Sequence, residues 1–233
     1  MKKILVGSVM MVLFSMGAWA SPFADCMAAV TLQDLITDSA TGGCQHLDKV
    51  FSAFTYTGNT TGQQAANLVQ VTHQFSGVSG GSDVHGWLFS LAGTQGAWTS
   101  AFTLSYNVTI DPNCASDGLC GSAFDSSNQM MYKTNLQENS GSVPNATAIN
   151  ETTSEGMLTV NAPNTGNETT NLAFANTNTI STSAHFTTSG GGQLQNFQEQ
   201  FFEQNTSAVP EPATLALCGG ALVLLGFLKK RRA

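Results

Sequence analysis

The loop with the sequence DPNCASDGLCGSAFD carries the side chains best suited to binding a cation. Asp111, Asp117 and Asp125 are carboxylates, and oxygen is the ligand that Ca²⁺ prefers. An EF-hand needs an oxygen ligand at loop position five and Glu at position twelve, where this loop has Ala115 and Ser122. The sequence therefore excludes an EF-hand. It predicts a disulfide-pinned surface loop, with the three aspartates as weak calcium candidates.

Ser82, Asp83 and His85 stand close together in GGSDVHG and have the side-chain types of a hydrolase triad. The groups of such a triad usually come from distant positions in the chain, whereas these three lie within four residues. We interpret this segment as a turn. No catalytic residue is predicted, and a secreted hydrolase is the least favoured of the possible functions.

The four histidines, His46, His73, His85 and His185, share no spacing that is typical of a metal site. His73 alternates with apolar residues in LVQVTHQF. A period of two places it on the apolar face of a strand, which predicts a core histidine.

Several aromatic side chains could form a platform on which a sugar stacks. Trp87 and Tyr106 are in phase with core residues of predicted strands, so packing is the better explanation for them. Trp98 lies outside such a pattern and is the freer candidate for contact with a sugar.

Four cysteines in the central part of the chain, Cys26, Cys44, Cys114 and Cys120, predict two disulfides in an exported protein. Four cysteines allow three connectivities. The simplest joins Cys114 to Cys120 across a short loop, which leaves Cys26 to pair with Cys44. A fifth, Cys218, lies in an apolar run.

Most of the central part reads as short strands of alternating polarity. The clearest is AFTLSYNVTI, in which apolar side chains recur at every second residue from Phe102 to Ile110. Further strands are predicted at 49–57, 68–75, 85–93, 128–136, 157–162, 169–176, 180–188 and 193–204. The last of these, with the sequence LQNFQEQFFEQ, also fits an amphipathic helix, and we favour the strand. The pattern predicts a mainly β, antiparallel sandwich-like body.

One short helix is predicted near the start of this body, in VTLQDLITD. Thr31 can serve as its N-cap, with Asp34 close to the first-turn amides. Val30 and Leu35 would form a hydrophobic staple, and Gly42-Gly43 would end the segment.

The two ends of the chain carry export features. Lys2 and Lys3 precede an apolar run at 4–16, and Ala18-Trp19-Ala20 forms an A-x-A cleavage site before Ser21. This pattern is typical of a signal peptide over residues 1–20, and it favours cleavage over an uncut anchor. A second apolar run at 213–228 ends in four basic residues, which predicts a transmembrane helix with its C-terminus in the cytoplasm.

The body between these ends, residues 21–208, is strongly acidic. It contains two lysines and fourteen Asp and Glu residues, which gives a net charge of −12. Nucleic acid is excluded as a partner, because its binding requires Lys and Arg to neutralise phosphates.

The C-terminal segment 209–233 resembles the PEP-CTERM sorting signal. The resemblance rests on Val209, Pro210, Glu211 and Pro212, followed by the apolar run and the basic end. It implies a Gram-negative bacterium with an exosortase, a membrane enzyme that would cut near Pro-Glu-Pro. The precursor would be anchored by the C-terminal helix, and the body would then reach the cell surface or the extracellular medium.

The body is also similar to one common group of PEP-CTERM proteins. The similar segments are LQDLITDSATGGCQHLDKVFSAFTYTG near its start and QLQNFQEQFF at its end. This group is associated with exopolysaccharide-producing bacteria. The resemblance implies a structural or adhesive role at the surface or in the matrix, with a carbohydrate-binding module as the alternative, and it supplies no catalytic residue.

Overall fold

The computed structural model describes most of the body of the chain. The described residues are 23–58, 64–79, 82–91, 96–111, 114, 129–140, 147–162, 166–188 and 192–205. The predicted signal peptide and sorting segment lie outside them. No helix in these ranges is long and apolar enough to cross a membrane.

Twelve strands and one α-helix account for most of these residues. The helix α1 spans Leu32–Ser39. The strands are β1 (Ala24–Asp25), β2 (Cys44–His46), β3 (Lys49–Gly58), β4 (Val69–Ser79), β5 (Ser82–Leu91), β6 (Phe102–Ile110), β7 (Gln129–Ser140), β8 (Thr147–Thr153), β9 (Gly156–Ala162), β10 (Gly166–Thr177), β11 (Thr179–Thr188) and β12 (Leu194–Asn205). Two short 3-10 helices cover Cys26–Ala28 and Ala66–Leu68.

The strands form two sheets. The first has the order β1-β2-β3-β6-β11-β8-β9 and the second the order β10-β7-β12-β5-β4. The β1–β2 pair is parallel and the other pairs are antiparallel. The mainly β, antiparallel prediction is confirmed.

One hydrophobic core lies between the two sheets. Strand β6 shows why the sheets face each other, since its residues alternate strictly between buried and half-buried from Phe102 to Ile110. Aromatic rings meet across the interface: Phe51 contacts Trp87 with ring centroids 5.3 Å apart, and Tyr106 contacts Phe201 at 6.2 Å. The body is therefore a β-sandwich.

Helix α1 begins as the sequence predicts. The Thr31 side chain accepts a hydrogen bond from the Asp34 N–H, and the Asp34 carboxylate accepts one from the Thr31 N–H at 2.8 Å. This is a capping box. Val30 is 65% exposed while Leu35 is buried, so the predicted staple between them is wrong.

The second half of the body has one strand more than the sequence predicts. Strand β8, Thr147–Thr153, pairs with β9 and β11, although five of its seven residues are polar. Strand β12 confirms the choice of strand over helix for LQNFQEQFFEQ. Its buried face alternates Phe197, Glu199, Phe201 and Glu203, so two carboxylates enter the core in phase with two aromatic rings.

Strand β3 contains a bulge. Its pairing with β6 shifts register between Ser52 and Thr55, and the exposed Ala53 between them has a φ of 56°. The Phe54 N–H donates to the Ser39 hydroxyl at the end of α1, at 2.9 Å. The bulge therefore connects the helix to the first sheet.

At residue 53 this geometry predicts that glycine is tolerated better than valine, the opposite of the usual order in a β-strand. We expect Ala53→Val to lower the free energy of unfolding by about 1–2 kcal/mol, because left-handed backbone crowds a β-branched side chain. Ala53→Gly should change it by less than about 1 kcal/mol, since glycine adopts this conformation freely. Chemical denaturation measures both changes. Thr57→Val, at an exposed and regularly paired position of the same strand, is the control and should be tolerated. Equal tolerance of Val and Gly at residue 53 would contradict the bulge.

Candidate functional site

Three histidines that are distant in sequence meet at one end of the sandwich. His46 ends β2 in the first sheet, whereas His73 and His85 lie on the neighbouring strands β4 and β5 of the second. The register pairs His73 with Trp87 and Phe75 with His85, so His73 and His85 are diagonal neighbours on one face. We call His46, His73 and His85 the histidine cluster.

The rings of the histidine cluster are in contact. Ring centroids are 4.2 Å apart for His46 and His73, 5.6 Å for His46 and His85, and 5.8 Å for His73 and His85. One possible ligand atom from each residue lies within 4.8 Å of the others. Both nitrogens of His73 are buried and have no hydrogen-bond partner among the described residues.

His46 is held in place by a braced turn between β2 and β3. Leu47 in this turn has a φ of 53°, which is unfavourable for a residue with a branched side chain. The Gln45 amide donates to the Leu47 carbonyl at 3.0 Å and to Asp111 Oδ2 at 2.9 Å. The Asp111 N–H donates to the Asp48 carbonyl at 2.7 Å. These bonds fix the turn on the end of β6 and stabilise its strained residue.

A carboxylate orients His85. His85 Nε2 lies 2.7 Å from Asp83 Oδ2, and the Val84 N–H donates to Asp83 Oδ1 at 2.9 Å. An ionised carboxylate can only accept, so His85 Nε2–H donates to Asp83 and the lone pair of the neutral ring lies on Nδ1. A carboxylate that accepts a proton from one imidazole nitrogen orients the ring and makes the other nitrogen a better ligand.

An ion-pair group adjoins the histidine cluster. The Lys49 ammonium contacts the carboxylates of Asp48 and Glu203, and all three side chains are fully buried. Asp48, Asp83, His85 and Glu203 also place possible ligand atoms within 4.8 Å of one another. In this group, however, the ammonium already occupies the position of a cation.

Burial sets the charge states around the histidines. It lowers the pKa of His73 to about 3, and it also lowers the pKa values of His46 and His85. Burial raises the pKa of Asp83 to about 6 and that of Glu203 to about 7, although nearby Lys49 opposes both changes. The imidazoles are therefore neutral at neutral pH, which is the form that binds metals.

A second group of ionisable residues lies deeper in the core. Glu151 on β8 and Glu199 on β12 are fully buried, and the Thr182 hydroxyl donates to Glu151 Oε1 at 2.8 Å. Burial raises the pKa of Glu151 to about 7 and that of Glu199 well above its usual range, and the charge of Glu151 raises that of Glu199 further. We call Glu151 and Glu199 the carboxylate pair.

The predicted cysteine pairing is confirmed where the structure describes it. Cys26 and Cys44 form a disulfide with their Cα atoms 4.8 Å apart. Cys114 is also disulfide-bonded, to a cysteine outside the described residues. Cys120, its predicted partner, is one of the cysteines that lie there. Because Cys44 is two residues before His46, the first disulfide fixes the strand that carries this histidine.

The structure corrects the prediction that Trp98 is free to contact a sugar. Trp98 is completely buried, packs against Phe102 and Phe197, and donates its indole N–H to the Tyr56 hydroxyl at 3.1 Å. An isolated antiparallel β-bridge joins Trp98 to Leu194, the first residue of β12. Its face is therefore not available for stacking.

The calcium candidates are only partly described. Asp111 is 8% exposed, and its Oδ2 accepts a hydrogen bond from the Gln45 amide beside the turn that follows His46. Asp117 and Asp125 lie outside the described residues, and the calcium prediction for this loop stays a prediction.

The prediction of a turn at GGSDVHG is wrong for Asp83, which lies on β5 with its side chain buried. His85, the first residue of the strand predicted at 85–93, lies buried on the same strand. The prediction that His73 is a core histidine holds in that its ring contacts Phe51 and Trp87. The sequence missed its assembly with His46 and His85. His73 and His85 each alternate with apolar residues along neighbouring strands, and this pattern could have placed both on the inner face of one sheet. No spacing in the sequence pointed to His46.

Comparisons with known proteins give only distant structural likenesses. No protein-family model matches the chain, and no curated protein sequence matches it. Among solved structures, TmCBM61 in complex with beta-1,4-galactotriose is 9% identical, covers 66% of this chain and 89% of its own, and gives a TM-score of 0.31.

Two further solved structures match a similar share of the chain. A family two carbohydrate esterase from Cellvibrio japonicus is 11% identical with a TM-score of 0.27, and the match covers 66% of this chain and 34% of the esterase. A carbohydrate binding module of family 29 is 9% identical with a TM-score of 0.21, over 66% of this chain and 90% of the module.

The carboxylate pair predicts a loss of stability as the pH rises. Folding raises both pKa values, so the stabilisation is complete below the ordinary value of 4.5 and is lost as the pH rises through the folded values. Glu199→Gln cannot ionise and should lose less stability between about pH 5 and about pH 8 than the natural chain does. We expect the difference to exceed about 1.4 kcal/mol, which corresponds to one pKa unit.

Thermal or chemical unfolding across this pH range tests the prediction. The histidines are the same in both chains, so their effect cancels in the difference between the two curves. Glu155→Gln, in the turn between β8 and β9, is the matched control and should follow the natural chain. Parallel curves for Glu199→Gln and the natural chain would show that the carboxylate pair does not ionise as described.

Proposed function

We propose that this chain is an exported protein of a Gram-negative bacterium, sorted by an exosortase and placed at the cell surface or in the extracellular matrix, where its role is structural or adhesive. The observation that carries the proposal is the order of features at its C-terminus: Val209-Pro210-Glu211-Pro212, an apolar run and four basic residues. The leader at residues 1–20 requires the same orientation across the membrane. The proposal includes no catalytic activity.

The disulfide chemistry of the body supports export. Cys26–Cys44 is formed and Cys114 is disulfide-bonded. Such bonds persist in oxidising compartments and are rare in a reducing cytosol. A protein with this thiol state fits the periplasm and the space beyond it.

The surface charge supports a passive role outside the cell. Residues 21–208 contain two lysines. Lys49 is fully buried, and the Lys133 ammonium lies 3.7 Å from the centre of the Phe202 ring. The acidic side chains of the body therefore have almost no counterpart on its outer surface, which favours solubility and repels polyanions.

A second candidate function, carbohydrate binding, is favoured by the outer face of the second sheet. Strand β12 turns Gln198, Gln200, Phe202 and Gln204 to this face, and all four are half-buried. Amide groups both donate and accept hydrogen bonds, as sugar hydroxyls require. Lys133 covers one side of the Phe202 ring, so the amides would provide most of the contact.

The sorting proposal predicts the fate of a tail variant. When Pro210, Glu211 and Pro212 are all replaced by alanine, we expect the full-length chain to stay in the membrane fraction of a host with an active exosortase. Fractionation and mass spectrometry of the intact chain measure this. Pro163→Ala, in the body, is the control and should be processed normally. Release of the tail variant at the normal rate would refute the proposal.

The carbohydrate-binding alternative predicts a loss on changing the amide face. Gln198→Ala combined with Gln200→Ala should weaken binding to a neutral glycan by about tenfold or more, since each buried hydrogen bond contributes about 1 kcal/mol. A glycan array followed by calorimetry on the best ligand measures the change. Gln33→Ala, an exposed amide on α1, is the control. If the natural chain binds no glycan on the array, the adhesive role does not depend on sugar recognition.

A further inference from the structure

We propose that His46, His73 and His85 together bind one divalent transition-metal ion of the zinc class. The site joins the two sheets of the sandwich, because His46 belongs to the first sheet and the other two histidines to the second. The proposal is independent of the proposed sorting and adhesion.

The distances fit a metal with nitrogen ligands. One ligand atom from each histidine already lies within 4.8 Å of the others. Zinc–nitrogen bonds of about 2.0–2.1 Å in a tetrahedron place the nitrogens about 3.4 Å apart. Each pair of nitrogens must therefore approach by at most about 1.4 Å to reach this spacing.

The ligand type selects the class of metal. Imidazole nitrogens suit Zn²⁺, Cu²⁺ and Ni²⁺, whereas Ca²⁺ and Mg²⁺ prefer oxygen. Three protein ligands also leave a fourth position of a zinc ion for water or another small molecule. The site differs in both chemistry and place from the calcium candidates of the 111–125 loop.

The surroundings of the histidines match those of known metal ligands in two respects. Asp83 lies 2.7 Å from His85 Nε2, and the Val84 N–H holds its other oxygen, so the carboxylate orients this ring as an outer-shell partner does. Both nitrogens of His73 are buried and have no hydrogen-bond partner among the described residues. A bound ion would supply the partner that this imidazole lacks.

The local charge also favours a dication. Asp48, Asp83 and Glu203 are buried beside the cluster with one ammonium, that of Lys49. In their ionised forms, three carboxylates and one ammonium leave two negative charges, which a divalent ion neutralises. Lys49 already contacts Asp48 and Glu203, so the ion is directed to the histidines rather than to the carboxylates.

Binding to the untagged, oxidised full chain tests the proposal. After removal of metals with a chelator, we expect one zinc ion per chain by elemental analysis and a rise in the melting temperature on addition of Zn²⁺. Ca²⁺ at the same concentration should give no comparable rise. Co²⁺ should give the visible absorption of a site with nitrogen ligands.

Two variants and a control locate the ion. His73→Asn should weaken zinc binding by at least about 100-fold, and Asp83→Asn, which affects a positioning residue, by about tenfold. His185→Asn is the matched control, because this histidine is exposed on β11 and its Nδ1 lies 2.9 Å from the Thr103 hydroxyl. It should bind zinc as tightly as the natural chain.

Three results would overturn the proposal: no zinc retained by the folded natural chain, equal affinity of His73→Asn and the natural chain, or equal stabilisation by Ca²⁺ and Zn²⁺. If His73→Asn fails to fold, the stoichiometry and the cobalt spectrum of the natural chain decide the question, with His185→Asn as the comparison.

Discussion

The sandwich depends on how its core accommodates several buried carboxylates, with Lys49 as the one fully buried lysine among the described residues. Glu199 and Glu203 alternate with Phe197 and Phe201 on the inner face of β12, and Asp48, Asp83, Glu138 and Glu151 are also buried. Transfer of an unpaired carboxylate out of water is costly, so each must be paired, hydrogen-bonded or protonated. Lys49 forms ion pairs with Asp48 and Glu203, and the Thr182 hydroxyl donates a hydrogen bond to Glu151. Protonation, which the raised pKa values favour, removes charge from the carboxylate pair. The position of β12, which forms part of both groups, is thus fixed by charge as well as by aromatic packing.

The need to pair buried charges also explains the many contacts that hold the turn between β2 and β3. A two-residue turn with Leu47 in left-handed backbone brings Asp48 and Lys49 into the interior. Such backbone is unfavourable for leucine and persists only where surrounding contacts hold it. The Gln45 and Asp111 hydrogen bonds and the Cys26–Cys44 disulfide provide those contacts. Because His46 precedes this turn, the groups that compensate buried charge also place it against His73 and His85.

The sequence predicted the features that arise from local physics. A period of two located β6, and a Thr and an Asp three residues apart located the start of α1. Pairing Cys114 with Cys120 across a short loop left Cys26 to pair with Cys44, as the structure shows. Features that depend on pairing between distant strands were not predictable in this way. The sequence of strand β8 lacked an apolar pattern, and Trp98 is buried where it pairs with the distant Leu194. The histidine cluster needs the register of β4 with β5 and the contact between two sheets.

Burial of Lys49 also affects how the body can meet other molecules. With that cation inside and Lys133 on the Phe202 ring, the body has almost no positive charge to offer to an acidic polysaccharide. Like charges repel over about 10 Å at 0.1 M salt, so an anionic matrix does not attract this surface. Contact with such a matrix must then use neutral hydrogen bonds or a bridging cation. The outer face of the second sheet, with Gln198, Gln200 and Gln204 in a row, is suited to form such hydrogen bonds. Because residues 21–208 contain only two lysines and no arginine, most buried carboxylates of the sandwich have no cationic partner. For the same reason, the outer surface has almost no cation with which to pair the anions of an acidic matrix.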